Sequence, residues 1–240
     1  MQLVGTIEAL WRYPVKSMGG EQLTQAFLAE GGLIGDRVYA FEYSAAPATF
    51  PYLTARQQPE MLLYRATYCS VAGNGNGRVF VNTPDGERLT IQDESIITRL
   101  SRSVRAGESL RLLTSNRAMA DCHPVSLLSI QTTQQLAEEL GVSLDKMRFR
   151  ANLYVNLYSG KGFEENDFVG RRLMIGSTAV VDVIERDERC KIITLDPCTG
   201  AADPNIMRHI AHEHERKVGI YGAVSVEGKV EAGDEISLLP

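Results

Sequence analysis

Apolar, β-branched and aromatic residues crowd positions 3–15 and 37–42, with breaks at Met18-Gly19-Gly20 and Gly31-Gly32. Short apolar runs bounded by glycine predict strands. Positions 64–72, 78–82 and 87–91 follow the same rule, separated by Gly73-Asn-Gly-Asn-Gly77 and Pro84-Asp-Gly86. Asn-Gly and Asp-Gly supply the positive φ angles that tight hairpins need, so this region is expected to form a β-meander. The glycine run lacks the Gly-Lys-Ser/Thr ending of a phosphate cradle and no helix follows it, which leaves the hairpin reading.

Asp93 is placed to cap a short helix through about Arg102, and the polar stretch Ser101–Ser109 reads as a surface connection. A boundary there divides the chain into 1–105 and 106–240. Ser129 or Thr132 opens a second helix running to Leu140. Gln135 stands three after Thr132 as in a capping box, Gly141 is at the stop, and Leu136, Ala137 and Leu140 form the buried face. Strands are predicted again at 151–157, 171–175, 178–184, 219–226 and 235–239, and Asp203-Pro204 begins a third helix. Many strands of mixed order with few helices indicate an α+β, predominantly β, barrel-like architecture rather than a doubly wound sheet. No internal repeat is present.

The formal net charge is −5, with basic residues dispersed among acidic ones. Nucleic-acid binders need a clustered cationic excess, so this class is excluded and any anion site must be a local pocket. The first residues carry no basic region ahead of a long apolar stretch, and no run approaches 18 apolar residues. Neither a signal peptide nor a membrane span is therefore expected, and the cytoplasm is the expected compartment. Cys69, Cys122, Cys190 and Cys198 form no C-x-x-C pair and read as free thiols.

Cys190 stands apart because it ends a strand-like run between Arg189 and Lys191. Neighbouring cations favour the thiolate, the form that binds a soft metal or attacks an electrophile; the alternative is a structural cysteine acting as a small hydrophobe. His209, His212 and His214 lack the H-E-x-x-H spacing, and His212 and His214 are too close to share a helix face. They are expected to decorate a solvated helix rather than hold a metal.

Five segments, Tyr13-Pro-Val-Lys16-Ser17, Gly32-Leu-Ile-Gly-Asp36-Arg37, Thr54-Ala-Arg56-Gln57, Phe149-Arg150-Ala-Asn152, and Arg189-Cys190 followed by Asp196-Pro197-Cys-Thr199-Gly200, occur in this order. In order and spacing the chain resembles the MOSC family, named for the C-terminal domain of molybdenum cofactor sulfurase, and most closely its amidoxime-reducing branch. The resemblance spans Trp11 to Leu239 and implies an N-terminal β-barrel-like domain over 1–105 packed on a MOSC β-barrel domain over 106–240.

The resemblance also implies a molybdenum cofactor (Mo-molybdopterin), with Cys190 as metal ligand and catalytic residue. Lys16, Ser17 and Arg37 fall on the positions that hold the phosphate end of the pterin, and Arg150, Asn152, Arg189 and Tyr221 on other cofactor-contacting positions. Arginine forks and a lysine point charge suit such an anion. The loop Asp121-Cys122-His123-Pro124 departs from the family's hydroxyl side chains. Cys122 and His123 there either contact cofactor through backbone N–H groups or sit near the metal and tune proton delivery. Cys198 is either a spectator thiol or a redox partner of Cys190.

The implied activity is reduction of N-hydroxylated compounds: hydroxylamines, amidoximes and N-hydroxy bases. The chain lacks the ferredoxin-type cysteine cluster of some bacterial relatives, so electrons are expected from a separate ferredoxin- or flavin-type donor protein. Two other readings stand beside it. One is a sulfur or molybdenum cofactor carrier using Cys190; the other, ranked lowest, is a pyridoxal phosphate protein with Lys16 as Schiff base.

Overall fold

The computed structural model describes residues 1–69, 77–102 and 104–240. Strand β1 (Gln2–Arg12) buries Val4, Ile7, Ala9 and Leu10 among more exposed neighbours. The short strands β2 (Glu21–Leu23), β3 (Gln25–Ala29), β4 (Gly32–Leu33), β5 (Tyr39–Tyr43) and β6 (Tyr52–Leu53) follow. Next come β7 (Arg65–Tyr68), β8 (Val79–Asn82) and β9 (Arg88–Thr90), then α1 (Glu94–Ser101) and β10 (Leu110–Thr114). The remaining elements are β11 (Val125–Ser129), α2 (Ile130–Leu140), β12 (Leu153–Leu157), β13 (Arg172–Ile175), β14 (Ala179–Glu188), α3 (Pro204–Glu213), β15 (Lys217–Val226), β16 (Gly228–Glu231) and β17 (Glu235–Leu238).

Seven strands close a barrel in the order β1-β12-β11-β15-β14-β13-β17 and back to β1. Closure leaves no unpaired sheet edge. The barrel interior is filled by residues such as Ile7, Leu10, Leu153, Val155, Val181, Ile220 and Ile236. Where β1 crosses β12, a Cβ on Gly5 would stand 2.4 Å from the Asn156 carbonyl oxygen, so the close approach requires glycine.

The first strand thus completes a barrel built otherwise from the second half of the chain. The small sheet β16-β3-β4 likewise joins strands from both halves, and β10-β5-β6 joins strands from either side of position 105. A second core around Met18, Phe41, Met61, Val79, Val81, Ile96 and Leu100 packs the meander β7-β8-β9 and α1. A third seats α2 and α3 on the barrel exterior through Leu136, Phe149, Tyr154, Ile206 and Ile210. The predominantly β fold, its barrel and its short helices are as the sequence predicts.

Residues 73–76 of the predicted Gly-rich turn, and 70–72 of the strand before it, lie outside the described residues. The caps at α1 and at the end of α2 form as expected. Asp93 accepts from the Ser95 N–H at 2.9 Å, and Gly141 closes α2 at φ 66°. The start of α2 falls on the first of its two expected openers, but the box partner differs. Its cap is Ser129, which accepts from the Thr132 N–H at 3.0 Å. The carboxylate of a capping box comes not from Gln135 but from Glu165, on the distant 3-10 turn Glu164–Phe168. It accepts from the hydroxyls of Ser129 at 2.8 Å and Thr132 at 2.9 Å. No helix among the described residues is long and apolar enough to cross a membrane.

Candidate functional site

The end of β1 fixes one wall of a cleft. Pro14 interrupts the ladder, and the chain then docks on the β5 segment: the Lys16 N–H donates to the Tyr39 carbonyl at 2.8 Å and the Arg37 N–H to the Tyr13 carbonyl at 2.7 Å. The opposite wall comes from the end of β14, the 3-10 turns Lys146–Phe149 and Lys191–Thr194, and Tyr221 of β15. The loop 121–124 covers one side; a Cβ on Gly32, already at φ 102°, would stand 2.4 Å from the Pro124 carbonyl oxygen.

The ten residues given to the cofactor site in the sequence all line this cleft: Lys16, Ser17, Arg37, Cys122, His123, Arg150, Asn152, Arg189, Cys190 and Tyr221. It holds about 840 Å³ of atom-free space, part of it open to solvent. Six non-glycine residues among those described have positive φ, and Ser17 (67°), Arg37 (50°) and Arg150 (54°) are three of them. Such backbone costs about 1–3 kcal/mol per residue and persists only where the surroundings enforce it.

The cations divide by whether their charge is met. The Lys16 ammonium is buried, pairs with Asp121 and donates to the Met119 carbonyl at 2.7 Å. Burial lowers its pKa, and Asp121 offsets part of that effect. Arg37 pairs with Asp36 and donates to the Arg150 carbonyl at 2.9 Å. Burial works against its charge, but the Asp36 carboxylate more than compensates and the pKa is raised.

Arg189 has two hydrogen bonds and one ion pair, although its buried Nη2 makes no hydrogen bond. Its Nε donates to Val218 and its Nη1 to Phe149, both carbonyls at 2.8 Å, and its Nη2 lies 2.8 Å from Asp187 Oδ2. It is a strut between β14, β15 and the Lys146–Phe149 turn. Arg150 differs in having no ion pair among the described residues: its guanidinium lies 4.3 Å from the Tyr13 ring centroid and its buried Nη2 has no hydrogen-bond partner. Burial above all, with repulsion from Arg37, brings its pKa down to about 10.

Asp187 is buried too, and its Oδ1 has no partner. Burial lifts its carboxyl to about 6 although Arg189 pulls the other way. Asn152 is spent on the scaffold: its Oδ1 accepts from the Ser126 N–H and hydroxyl, both at 3.2 Å, and its Nδ2 donates to the Trp11 carbonyl at 3.3 Å. The His123 Nε2 lies 3.1 Å from Glu185 Oε1, and its ring is 5.9 Å from that of Tyr221. Burial, then nearby acids, raises the exposed Cys122 thiol, whereas Cys190 is a half-buried free thiol.

The cleft draws its cations from distant parts of the chain: Lys16, Arg37, Arg56, Arg150 and Arg189 line it, whereas Lys191, the other neighbour of Cys190, is exposed and outside its lining. Cys198 lines a neighbouring cavity with Trp11, Arg65 and Arg148 rather than the cleft of Cys190, in keeping with a spectator thiol. His212 is exposed on α3 as expected, but His209 and His214 turn onto Glu139, away from the cleft, because His214 caps the helix and leaves its helical path. Sequence reasoning assigned no role to Asp121, Asp187 or Arg56, all of which line the cleft. Arg56 and Asp121 lay within quoted segments; Asp187 has no local pattern to mark it.

A soft thiol, an unpaired buried guanidinium and four further cations in one cleft suit a ligand with an anionic end and a thiophilic centre. The family model described as MOSC domain matches residues 114–237, and the one described as MOSC N-terminal beta barrel domain matches 4–108. Mitochondrial amidoxime reducing component 2 of Macaca fascicularis is 23% identical over 292 aligned positions, covering 98% of this chain and 84% of that protein. The protein of the same name from Rattus norvegicus is 24% identical over 243 positions, covering 85% and 70%. Among solved structures, the YUAD protein from Bacillus subtilis aligns with a TM-score of 0.48 at 15% identity, covering 99% of this chain and 97% of that one.

Proposed function

Because the chain belongs to the MOSC family, we propose that it binds a molybdenum–pterin cofactor in the cleft and reduces N-hydroxylated compounds with electrons from a separate donor protein. The relatives named amidoxime reducing component support the substrate class. The observation that carries the reading is the buried, unpartnered Nη2 of Arg150 in the same cleft as the free thiol of Cys190. An uncompensated buried cation is costly unless an anion comes to it. The residues present therefore fit a ligand with a phosphate end and a metal that takes a thiolate.

Arg150, Arg37, Lys16 and Ser17 would hold the phosphate end, and Cys190 would ligate the metal. When bound, the group supplies two-electron chemistry able to take an oxygen atom from an N–O bond. The protein's part is placement and protons. Asn152 ties the end of β1 to β11, and Arg189 ties β14 to β15, which keeps the two walls in register. Asp187 Oδ1, with its carboxyl raised to about 6, holds a proton in a minor fraction of molecules at neutral pH and is a proton source within the cleft. The His123 ring also lines the cleft, with its Nε2 held by Glu185. The Lys16 ammonium is already engaged by Asp121 and Met119, which counts against a Schiff base at that residue.

The test is expression in a molybdenum-replete host, with metal and pterin measured in the wild type and in Cys190→Ser, and turnover of an amidoxime measured with a reduced viologen as donor. One molybdenum per chain, lost in Cys190→Ser, with turnover in the wild type, is the expected result. Molybdenum retained in Cys190→Ser refutes the ligand assignment. A loaded protein without turnover refutes the reductase, and labile sulfur without molybdenum favours a carrier.

A further inference from the structure

We propose that Glu139, His209 and His214 form a binding site for a divalent transition-metal ion of the Zn²⁺ class, which clips the end of α2 to the end of α3. Glu139 Oε2 lies 2.8 Å from His209 Nε2 and 2.7 Å from His214 Nε2, and the three ligand atoms all fall within 4.8 Å of one another. Ligand atoms around a tetrahedral ion at bond lengths of about 2.0–2.2 Å sit roughly 3.3 Å apart, so a small outward movement admits the ion.

The ligands are held from behind. Gln135 Nε2 donates to Glu139 Oε1 at 2.8 Å, leaving Oε2 to face the imidazoles. The His214 ring stacks on Phe163, with centroids 4.1 Å and planes 15° apart. Outer contacts of this kind fix ligand orientation in metal sites. The helical path alone would not bring positions 209 and 214 to one face. The cap conformation of His214, at φ −127° and ψ 22°, swings its ring back beside His209, with centroids 5.7 Å apart.

The three side chains are 14–26% exposed, sheltered yet reachable from solvent. Two imidazoles and one carboxylate prefer Zn²⁺, Co²⁺, Ni²⁺ or Cu²⁺ to Mg²⁺ or Ca²⁺. Among the described residues the group comprises these three, so water completes the coordination. None of the three lines the proposed cofactor cleft, and the site stands or falls independently of it.

The experiment uses untagged, chelator-stripped protein titrated with Zn²⁺ by calorimetry in excess Mg²⁺, with Co²⁺ absorption reporting whether thiolate takes part. The wild type is expected to bind one equivalent with nitrogen–oxygen rather than thiolate character and to gain thermal stability. Glu139→Gln, close to isosteric, is expected to weaken binding at least tenfold; His209→Ala/His214→Ala to abolish it; and His212→Ala to leave it unchanged. Absence of stoichiometric binding, thiolate absorption, or undiminished binding in Glu139→Gln would overturn the proposal and leave a hydrogen-bonded triad only.

Discussion

Replacing Arg150 with methionine separates stability from anion binding. The residue is 9% exposed and its Nη2 has no partner. Its pKa falls from 12.5 to about 10, chiefly through burial, with Arg37 adding to the fall and Tyr13 offsetting part of it. At 1.36 kcal/mol per pKa unit this is a cost of about 3 kcal/mol. A base whose pKa is depressed by folding bears that cost wherever it is charged in both states. The penalty is therefore complete at pH 7 and is relieved only as pH rises from about 10 towards 12.5.

Methionine removes the charge and forfeits the stacking on Tyr13, about 1–2 kcal/mol. The backbone at φ 54° is equally unfavourable for either residue, so it cancels. Arg150→Met is thus expected to be more stable than the wild type by about 1–2 kcal/mol. At about 2–4 °C per kcal/mol for a chain of this size, Tm rises by about 2–8 °C. The assay is calorimetric unfolding in a phosphate-free chloride buffer at pH 7, repeated with rising inorganic phosphate. Phosphate should raise Tm of the wild type and move the variant much less. A variant less stable by more than about 1 kcal/mol, or an equal phosphate response, refutes the reasoning.

Glu165 is fully buried, and burial raises its pKa above 4.5 although Thr132 and Ser129 hydrogen-bond to it. A carboxyl raised by folding contributes stability that is present below pH 4.5 and lost as pH climbs through its folded pKa. Urea unfolding of Glu165→Gln between pH 4.5 and 7.5 should therefore show a less negative slope of stability with pH than the wild type. Glu165→Ala, which strands two hydroxyls, should cost about 2–4 kcal/mol. A fragment of residues 106–240 lacks β1, which hydrogen-bonds to both β12 and β17. It is expected to unfold without a cooperative transition and with little near-UV dichroism; a sharp transition would show that closure through β1 is dispensable.

The strands and caps were legible because their causes are local: apolar runs between glycine breaks, an aspartate before α1, a glycine after α2. The closure of β1 onto β12 and β17 was not, since Gly5 meets Leu157 and Ile236 across nearly the whole chain and no local pattern encodes that pairing. The capping carboxylate of α2 was missed for the same reason. Glu165 lies 33 positions beyond Thr132, whereas Gln135, the local candidate, turns to Glu139. Cleft residues were found through the order of five segments rather than through their own chemistry. Hence the order of segments pointed to Arg189 and Asn152 as cofactor contacts but not to what the structure adds, that both line the cleft while also bonding to backbone carbonyls, Asp187 and Ser126.

What the structure adds is a physical reason for those segments to converge. Left-handed backbone at Ser17, Arg37 and Arg150 has no local benefit, nor has an arginine nitrogen or an aspartate oxygen buried without a partner. At Arg37 the conformation is held from both sides: its N–H donates to Tyr13 at 2.7 Å, and its carbonyl accepts from the Met119 N–H at 2.8 Å. The same loop from Met119 to Asp121 also holds the Lys16 ammonium. Three of the six positive-φ non-glycine residues described and the unpartnered buried atoms of Arg150 and Asp187 therefore meet in one cleft. An anion that meets Arg150 offsets the largest of these costs, so ligand binding and stability are coupled at that residue, and the gain should be greatest where the guanidinium is fully charged, well below pH 10.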